Sequence, residues 1–285
     1  MREPHKTKTT REPFISAVIP TYNRPYVLGE LLETLAAQNY PNMEVLVVND
    51  AGVSVDFVAD AYPELAVTVI NQPVNLKHVH ARNEALSRAR GELILLCDDD
   101  DLLTPGHIRR MLAALEETGA DFAYSDAELF DYRVEGRTRI PVSRRLFAYG
   151  FDLAEMRAFS TYVPSGTLYR RAIHDTLGPY DPEVHHYWDW DFFLRTANVY
   201  KITRVPVASV LYAFSLKGDN VSGNRQEGNP YLGRLCAKHG LGELPSENFF
   251  TLLDKPHMRQ REAPSAIVWD GAPVISRLAE QAESV

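Results

Sequence analysis

The sequence predicts an α/β fold built on a mixed β-sheet, and three observations lead to that prediction. Short apolar runs rich in β-branched residues alternate with segments of helical periodicity in the first half of the chain. Strands and helices in this alternation imply right-handed crossovers, which make consecutive strands parallel. Farther along, residues 127–142 alternate about Glu135 and Gly136 in the pattern of an antiparallel hairpin, so the sheet is expected to be mixed.

The elements of the first half follow in order from these patterns. Strands are expected over residues 14–19, 45–48, 67–70, 92–96 and 122–126. Helices are expected over residues 25–35, 54–61, 81–90 and 105–118. Pro20 should end the first strand, because proline cannot donate to a sheet ladder. Asn23 should cap the first helix, with Pro25 in its first turn.

Composition narrows the class of protein. Hydrophobic residues make up 45% of the chain and charged residues 24%, as in ordinary soluble globular proteins. The net charge of −8 and the pI near 5.6 argue against nucleic acid as a partner. Cys97 and Cys236, far apart in sequence, predict neither a disulfide framework nor a zinc site, and they favour a reducing compartment. No apolar run is long enough for a transmembrane segment, so a cytoplasmic protein is expected, with peripheral membrane contact left open.

Four consecutive carboxylates, at residues 98–101, follow the fourth predicted strand. Their mutual repulsion is costly unless a cation or an array of hydrogen-bond donors neutralises it. One interpretation is a metal-binding element. The other is a solvated acidic turn just before the helix that Thr104 and Pro105 begin. The residues at the other strand ends favour the metal-binding element.

Ligands of parallel sheets bind beyond the carboxyl ends of the strands. Polar groups that suit a nucleotide diphosphate follow those ends here, at Pro20, Thr21, Tyr22, Asn23, Asp50, Asn75 and Arg82. They supply an aromatic ring, a carboxylate and a cation beside the acidic row. Because the sequence has no glycine-rich phosphate loop, a divalent cation held by carboxylates is the expected means of binding the phosphates.

These segments resemble the family 2 glycosyltransferases of the GT-A fold, over about residues 13–225. The matching motifs are Val18-Ile19-Pro20-Thr21-Tyr22-Asn23-Arg24, Glu44-Val45-Leu46-Val47-Val48-Asn49-Asp50, Asn75, Ala81-Arg82-Asn83 and Asp98-x-Asp100. The resemblance implies a GT-A-type, Rossmann-like mixed sheet, with a nucleotide-sugar half over residues 13–126 and an acceptor half over residues 127–225. Residues 1–12 are expected to form a flexible tail, and residues 226–285 a C-terminal extension.

The same resemblance implies roles for individual residues. The residues implied to bind the nucleotide sugar are Pro20, Thr21, Tyr22, Asn23, Asp50, Asn75, Arg82, Asp98 and Asp99. Asp100 is implied as the direct ligand of Mn²⁺ or Mg²⁺. Asp98 would bind the ribose or a metal-bound water, and Asp101 is left as a support for the metal site or a helix cap.

Residues 187–195 resemble the family's Glu-Asp-x-Asp-Leu-x-Leu-Arg stretch. The match implies that Asp189 is the general base, with Asp191 as a second catalytic or orienting carboxylate. An inverting transfer needs such a base to deprotonate the acceptor hydroxyl as it attacks the anomeric carbon. The structural alternative makes Asp189 a helix cap and Asp191 a charge that favours the first helical turn.

Three further residues are expected on the acceptor or diphosphate side of the site. Trp188, which stands where the family has glutamate, and Trp190 would desolvate Asp189 or stack on a sugar. Lys217 would neutralise the leaving diphosphate, the alternative being a solvated loop lysine. His185 and His186 are candidates for the acceptor side, and the spacing of the histidines does not predict a zinc site.

The sequence thus predicts a metal-dependent, inverting glycosyltransferase of the hexosyltransferase type. Its donor would be a nucleotide diphosphate sugar, of the UDP or dTDP type because Asp50 and Tyr22 suit a small pyrimidine. Its acceptor would be a hydroxyl of a carbohydrate, a lipid-linked molecule or a small molecule. Two alternatives stay open, a sugar nucleotidyltransferase and a non-catalytic carbohydrate-binding relative, and so does a homodimer.

Overall fold

A computed structural model of the chain describes residues 12–214, 225–245 and 252–280. One mixed sheet runs through this part of the molecule. Its strands are β1 (Ile15–Thr21), β2 (Met43–Asn49), β3 (Ala66–Asn71), β4 (Leu93–Leu96), β5 (Leu102–Leu103), β6 (Phe122–Glu135), β7 (Thr138–Phe147), β8 (Leu168–Arg170), β9 (Ile202–Ala213) and β10 (Ala266–Ile267). The helices are α1 (Pro25–Ala36), α2 (Val58–Ala61), α3 (Lys77–Arg88), α4 (His107–Thr118), α5 (Leu153–Ala158), α6 (Ile173–Leu177), α7 (Trp188–Ala197), α8 (Arg225–His239), α9 (Pro256–Arg259) and α10 (Arg277–Glu280), with a 3-10 helix at Pro182–Tyr187.

The strand order is β10-β9-β6-β8-β4-β1-β2-β3, with β5 on β9 and β7 on β6. Strands β1 to β4 pair in parallel, and β8 lies antiparallel between β4 and β6. Every residue of β1, β2 and β4 is buried, as expected of strands covered on both faces. The predicted mixed α/β sheet is confirmed, and the parallel pairing brings the carboxyl ends of β1, β2 and β4 to one edge.

The predicted hairpin is also confirmed, since β6 and β7 pair antiparallel and reverse at Gly136, whose φ is +60°. The hairpin is tied to the first half of the chain by a buried ion pair. Arg139 of β7 donates from Nε to Glu30 of α1 at 2.6 Å and from Nη1 to the carbonyl of Asp100 at 2.7 Å. The backbone of the acidic row is therefore held by a residue of the second half.

Two predictions about β1 and α1 are wrong. Strand β1 continues through Pro20 to Thr21, because β4 has already ended beside Val18 and the missing N–H faces no partner strand. Asn23 does not cap α1, since Arg24 occupies that position. The side chain of Asn23 instead accepts a hydrogen bond from the backbone of Val53 at 2.8 Å.

Three predicted helix starts are also displaced. Helix α2 begins at Val58 instead of at residue 54. Helix α3 begins at Lys77, four residues before the expected Ala81, because a long-range partner supplies its capping bonds: the carboxylate of Asp50 accepts from the backbone there. Helix α4 begins at His107 instead of at residue 105, because β5 and then Gly106, with φ of +77°, come first.

The described parts of residues 226–285 pack on the remainder of the chain. Leu232, Leu235 and Cys236 of α8 bury against Trp190 and Leu194 of α7. Residues from the last segment, Leu253, Met258 and Leu278, join the main core cluster under α1 and α4. In the sequence, Phe249 and Phe250 form a helical pattern with Leu252 and Leu253, but Phe249 and Phe250 lie outside the described residues.

Candidate active site

A cavity of about 370 Å³ lies at the carboxyl ends of β1, β2 and β4 and is closed on its far side by α7. The residues that line it are Pro20, Thr21, Tyr22, Arg24, Asp50, Asn75, Lys77, His78, Arg82, Asp98, Asp99, Asp100, Pro164, His186, Trp188, Asp189 and Tyr212. Most of the residues expected to bind the nucleotide sugar are among them. The two halves of the sequence therefore meet at one site.

Asp98 begins the acidic row and makes an ion pair with Arg82 of α3. The guanidinium of Arg82 also lies over the ring of Trp188, 4.1 Å from its centroid. The backbone N–H of Asp98 donates to the hydroxyl of Ser165 at 2.9 Å, which fixes the turn after β4. The ring of Trp188 thus packs against the arginine that neutralises Asp98.

Asp99 and Asp100 share a second arginine, Arg24. Its Nη1 donates to Asp100 at 2.7 Å and to Asp99 at 3.4 Å. Asp99 is buried, and its other oxygen accepts from the hydroxyl of Thr21 at 2.7 Å. Burial, together with the neighbouring charge of Asp100, raises the pKa of Asp99 to about 7. The protein's own arginines thus neutralise much of the acidic row.

Asp101 points away from the cavity and is buried. Its carboxylate accepts from the backbone N–H of Ala213 at 3.1 Å, which ties the row to the end of β9. Burial raises the pKa of Asp101 well above its usual range, and the charges of Asp100 and Asp98 raise it further. Of the two roles left open for it, the structure favours support of the site over a helix cap, since α4 begins six residues later.

Asp50 organises the loop that leads into α3. Its two carboxylate oxygens accept from the backbone N–H groups of Leu76 and Lys77, at 2.7 and 2.8 Å. Asn75 lies in the same loop and lines the cavity, and Tyr22 stands at the rim with 47% of its surface exposed. The structure therefore brings together the strand-end residues that the sequence predicted, with Asn23 excepted.

Asp189 is the carboxylate of α7 that faces the cavity. Tyr187 occupies the cap position of the helix, so the alternative role of Asp189 as the cap is wrong. The hydroxyl of Tyr162 donates to the backbone carbonyl of Asp189 at 2.6 Å and holds this turn in place. Burial, with a contribution from the charge of Asp98, raises the pKa of Asp189 to about 6.

Two further residues expected at the site, Asp191 and Trp190, do not line the cavity. Asp191 is fully buried on another side of α7, where it accepts from Arg195 and His239, each at 2.8 Å. Trp190 donates from its indole to the carbonyl of Met156 at 2.7 Å and packs against α8. Lys217 lies outside the described residues.

The structure also adds residues that sequence reasoning gave no role. Arg24 ends the first-strand motif, so its position next to Tyr22 and Asn23 was an available signal. Lys77 and His78 lie two and three positions after Asn75, so they too are close in sequence to a residue that the sequence predicted for the site. Pro164 and Tyr212 carry no such signal, because only the tertiary fold brings them to the cavity.

The oxygen groups at the cavity fit Mn²⁺ or Mg²⁺. Asp98 and Asp100 both line it, and each uses one carboxylate oxygen in an ion pair, the other having no partner in the described part of the chain. Carboxylate oxygen is the ligand both ions prefer. Within the described ranges no group of three or more acidic, histidine or cysteine side chains is assembled for a metal, so further ligands would come from substrate or water.

Comparisons with known proteins bear on the identity of this site. The family model for glycosyl transferase family 2 matches residues 16–178, more than half of the chain. The chain is 54% identical over 265 residues to a Bacillus subtilis (strain 168) protein described as the uncharacterized glycosyltransferase YwdF, covering 93% of this chain and 98% of that one.

Solved structures share the fold at low identity. The crystal structure of S. aureus TarS 1-349 in complex with UDP-GlcNAc superposes with a TM-score of 0.61 at 21% identity, covering 79% of this chain and 66% of that chain. The mannosyltransferase PcManGT from Pyrobaculum calidifontis, in complex with GDP-Man and Mn²⁺, gives 0.56 at 17% identity, covering 88% and 83%. Both likenesses confirm the GT-A fold.

The family match and the relatives favour a glycosyltransferase over the nucleotidyltransferase and the non-catalytic relative. The cavity agrees with these comparisons, because strand-end residues and a carboxylate of α7 line it together. No helix among the described residues is long and apolar enough to cross a membrane. The chain belongs to glycosyltransferase family 2.

Proposed function

We propose that this glycosyltransferase is metal-dependent and inverting, and that it uses a UDP- or dTDP-sugar as donor and Asp189 as general base. One observation carries the proposal. Asp189 of the second half lines the same cavity as Thr21, Asp50 and Asp98 of the first half. A candidate general base and the groups that suit a nucleotide diphosphate thus line the same cavity.

The donor nucleotide would lie along the ends of β1 and β2. Tyr22, half exposed at the rim, offers a ring face for a base, and Asn75 offers an amide. Asp50 would hold the Asn75 loop in place, because both of its oxygens accept backbone N–H groups. The TarS structures with UDP-GlcNAc and with UDP support a uridine nucleotide, whereas PcManGT holds GDP-Man.

Asp100 would be the ligand of Mn²⁺ or Mg²⁺, with Asp98 beside it. When bound, the ion would offset the negative charge that develops on the departing diphosphate. Arg24 holds Asp100 in place from one side, and Arg139 holds its backbone carbonyl from the other. The carboxylate is therefore positioned before any ligand arrives.

Asp189 would take the proton of the acceptor hydroxyl. The hydroxyl oxygen then forms a bond to the anomeric carbon as the bond from that carbon to the diphosphate oxygen breaks, which inverts the configuration. A carboxylate whose pKa is about 6 is ionised at neutral pH and is a stronger base than an ordinary aspartate. Trp188 and Tyr162 keep this turn of α7 packed and partly shielded from water.

The first test is selective binding of nucleotide. UDP, dTDP and GDP are each added with Mn²⁺, and the melting temperature is followed. A ligand at a hundred times its Kd stabilises the folded state by about 2.7 kcal/mol. We expect UDP or dTDP to raise the melting temperature more than GDP does, and no effect from any of the three would contradict the proposal.

The second test is metal dependence. Release of nucleoside diphosphate from the selected sugar donor is measured with Mn²⁺ and with EDTA, for the wild type, Asp100→Ala and Asp254→Ala. Asp254 is an exposed carboxylate in an ion pair with Arg145 and is the matched control. We expect EDTA and Asp100→Ala to abolish release and Asp254→Ala to leave it unchanged. Full turnover in EDTA, or in Asp100→Ala, would remove the metal from the mechanism.

A further inference from the structure

Lys77 adopts a backbone conformation that its side chain makes unfavourable. In the described part of the chain, the non-glycine residues with φ in the left-handed region, between +48° and +73°, are Asn23, Asn39, Ala51 and Lys77. Asparagine tolerates this region well, whereas a long side chain gains nothing from it. At φ of +73°, glycine would be the favoured residue at position 77. Strain of this kind persists where the surroundings impose it, and it often accompanies a functional side chain.

The residues around Lys77 impose this backbone conformation. The carboxylate of Asp50 accepts the backbone N–H of Lys77 at 2.8 Å and that of Leu76 at 2.7 Å. Asp50 is itself buried at the end of β2, so this anchor is rigid. None of these bonds involves the lysine side chain. The anchor would hold a glycine equally well, so the backbone alone does not explain why a lysine is present.

The charges around the cavity give a reason for a lysine at position 77. Its lining contains two arginines, and both are already paired with carboxylates: Arg82 with Asp98, and Arg24 with Asp100. Lys77 also lines the cavity, and its side chain is exposed. Among the described residues it makes no ion pair. Within the described ranges, Lys77 is therefore the cavity-lining lysine or arginine that has no carboxylate partner. Its charge is available to a ligand.

Lys77 lies near other groups that can carry positive charge. Burial lowers the pKa of His78, and the positive charges of Arg82 and Lys77 lower it further. The cavity also contains carboxylates, but among the described residues none of them is in an ion pair with Lys77. The Lys77 ammonium can therefore pair with an anionic group of a ligand.

We propose that Lys77 binds the negatively charged phosphates of the donor nucleotide, and that its left-handed backbone is retained because it places the ammonium at the mouth of the cavity. The proposal rests on the proposed function, since the ligand is the nucleotide diphosphate of the same site. Lys77 would then supply part of the affinity for the diphosphate, because the two arginines of the cavity are already paired with carboxylates.

The test separates loss of charge from loss of structure. Binding is measured by calorimetry for the wild type, Lys77→Gly, Lys77→Arg and Lys201→Ala. Lys201 is the control, because its ammonium bonds the carbonyl of Thr118 and lies away from the cavity. The probes are the nucleoside diphosphate that the wild type binds most tightly among UDP, dTDP and GDP, and the nucleoside of the same base.

We expect Lys77→Gly to weaken binding of the nucleoside diphosphate about tenfold or more, the usual effect of losing a hydrogen bond to a charged group. Binding of the nucleoside should not change, because it has no phosphate. Lys77→Gly should melt no lower than the wild type, since glycine relieves the backbone strain. Lys77→Arg should retain most of the affinity, and Lys201→Ala all of it.

Two results would overturn the proposal while leaving the proposed function intact: diphosphate binding by Lys77→Gly as tight as that of the wild type, or equal losses for the diphosphate and the nucleoside. A marked fall in the melting temperature of Lys77→Gly would overturn the strain argument. A wild type that binds none of the three diphosphates would overturn the proposed function, and this proposal with it.

Discussion

Asp189 and Asp191 stand two positions apart in α7 and have opposite surroundings. Two residues correspond to about 200° of rotation in an α-helix, so their side chains leave the helix on nearly opposite sides. Asp189 therefore faces the cavity, while Asp191 faces Arg195, Lys238 and His239. The sequence resemblance made Asp189 the general base and Asp191 a second catalytic or orienting carboxylate. Helical periodicity alone would have separated them.

The acidic row at residues 98–101 also shows what the sequence could and could not predict. The sequence predicted that the charges of residues 98–101 need neutralising, and the structure shows which groups do so. Arg82 and Arg24 supply two cations, and Thr21 and Ala213 donate hydrogen bonds. The need follows from Coulomb repulsion between neighbours in sequence, whereas the partners are set by tertiary contacts.

The raised pKa of Asp189 leads to a prediction about pH. Because the base acts as the ionised carboxylate, kcat/KM should fall about tenfold per pH unit as the pH drops below about 6, and should be level just above it. An unperturbed aspartate would place this limb near pH 4. The measurement is the pH profile of kcat/KM from pH 4.5 to pH 8.

The pH profile needs one control, because the pKa of Asp99 is also raised, to about 7. The Asp99→Asn variant should keep the limb near pH 6, even if its overall activity is lower. A limb near pH 4 in the wild type, or its disappearance in Asp99→Asn, would show that Asp189 is not the group that titrates.

At the scale of elements, α7 is held from behind by α8. Asp191 accepts from Arg195 of its own helix and from Lys238 and His239 at the end of α8, all at 2.8 Å. Burial alone would raise the pKa of Asp191. The hydrogen bond from His239 and the charges of Arg195 and Lys238 overcome that effect and hold the pKa below its usual range. The ion pairs thus fix the helix that carries Asp189.

We expect Asp191→Asn to destabilise the protein by about 3 kcal/mol, near the lower end for breaking a buried ion pair because Lys238 and Arg195 retain access to water. Denaturant unfolding measures this change. Asp254→Asn, in an exposed ion pair, should cost less than about 1 kcal/mol. At a temperature where Asp191→Asn is folded, its kcat should stay within tenfold of the wild type. A loss of kcat without a loss of stability would make Asp191 a catalytic residue.

The other elements were predicted correctly where their hydrophobic patterns are strong, and missed where they are weak. Strands β1, β2 and β4 are continuous apolar runs, and the hairpin of β6 and β7 alternates about a glycine turn, so all were found from the sequence. The start of α3 was not found, because its capping carboxylate, Asp50, lies 26 positions away. Strand β8 is three residues long and takes its place only through pairing with β4 and β6.

At the scale of the whole molecule, the cavity is a joint product of both halves of the chain. The parallel strands bring the polar residues that follow them to one edge, and the second half of the chain adds Trp188, Asp189 and Tyr212. The sequence predicted this meeting through a family resemblance, since no local pattern connects Asp98 with Asp189. The packing of residues 226–285 was left open by the sequence, and the described parts of this segment join the same cores.

The central claim is that Asp189 is the base of a glycosyl transfer at this cavity. The most direct measurement compares Asp189→Asn with the wild type in two assays: calorimetric binding of the nucleoside diphosphate with Mn²⁺, and the rate of sugar transfer from the matching donor. We predict unchanged nucleotide affinity and a kcat lower by about 10²–10⁴-fold, the usual contribution of a general base. An Asp189→Asn variant that binds the nucleotide and transfers sugar at the wild-type rate would show that Asp189 is not the base.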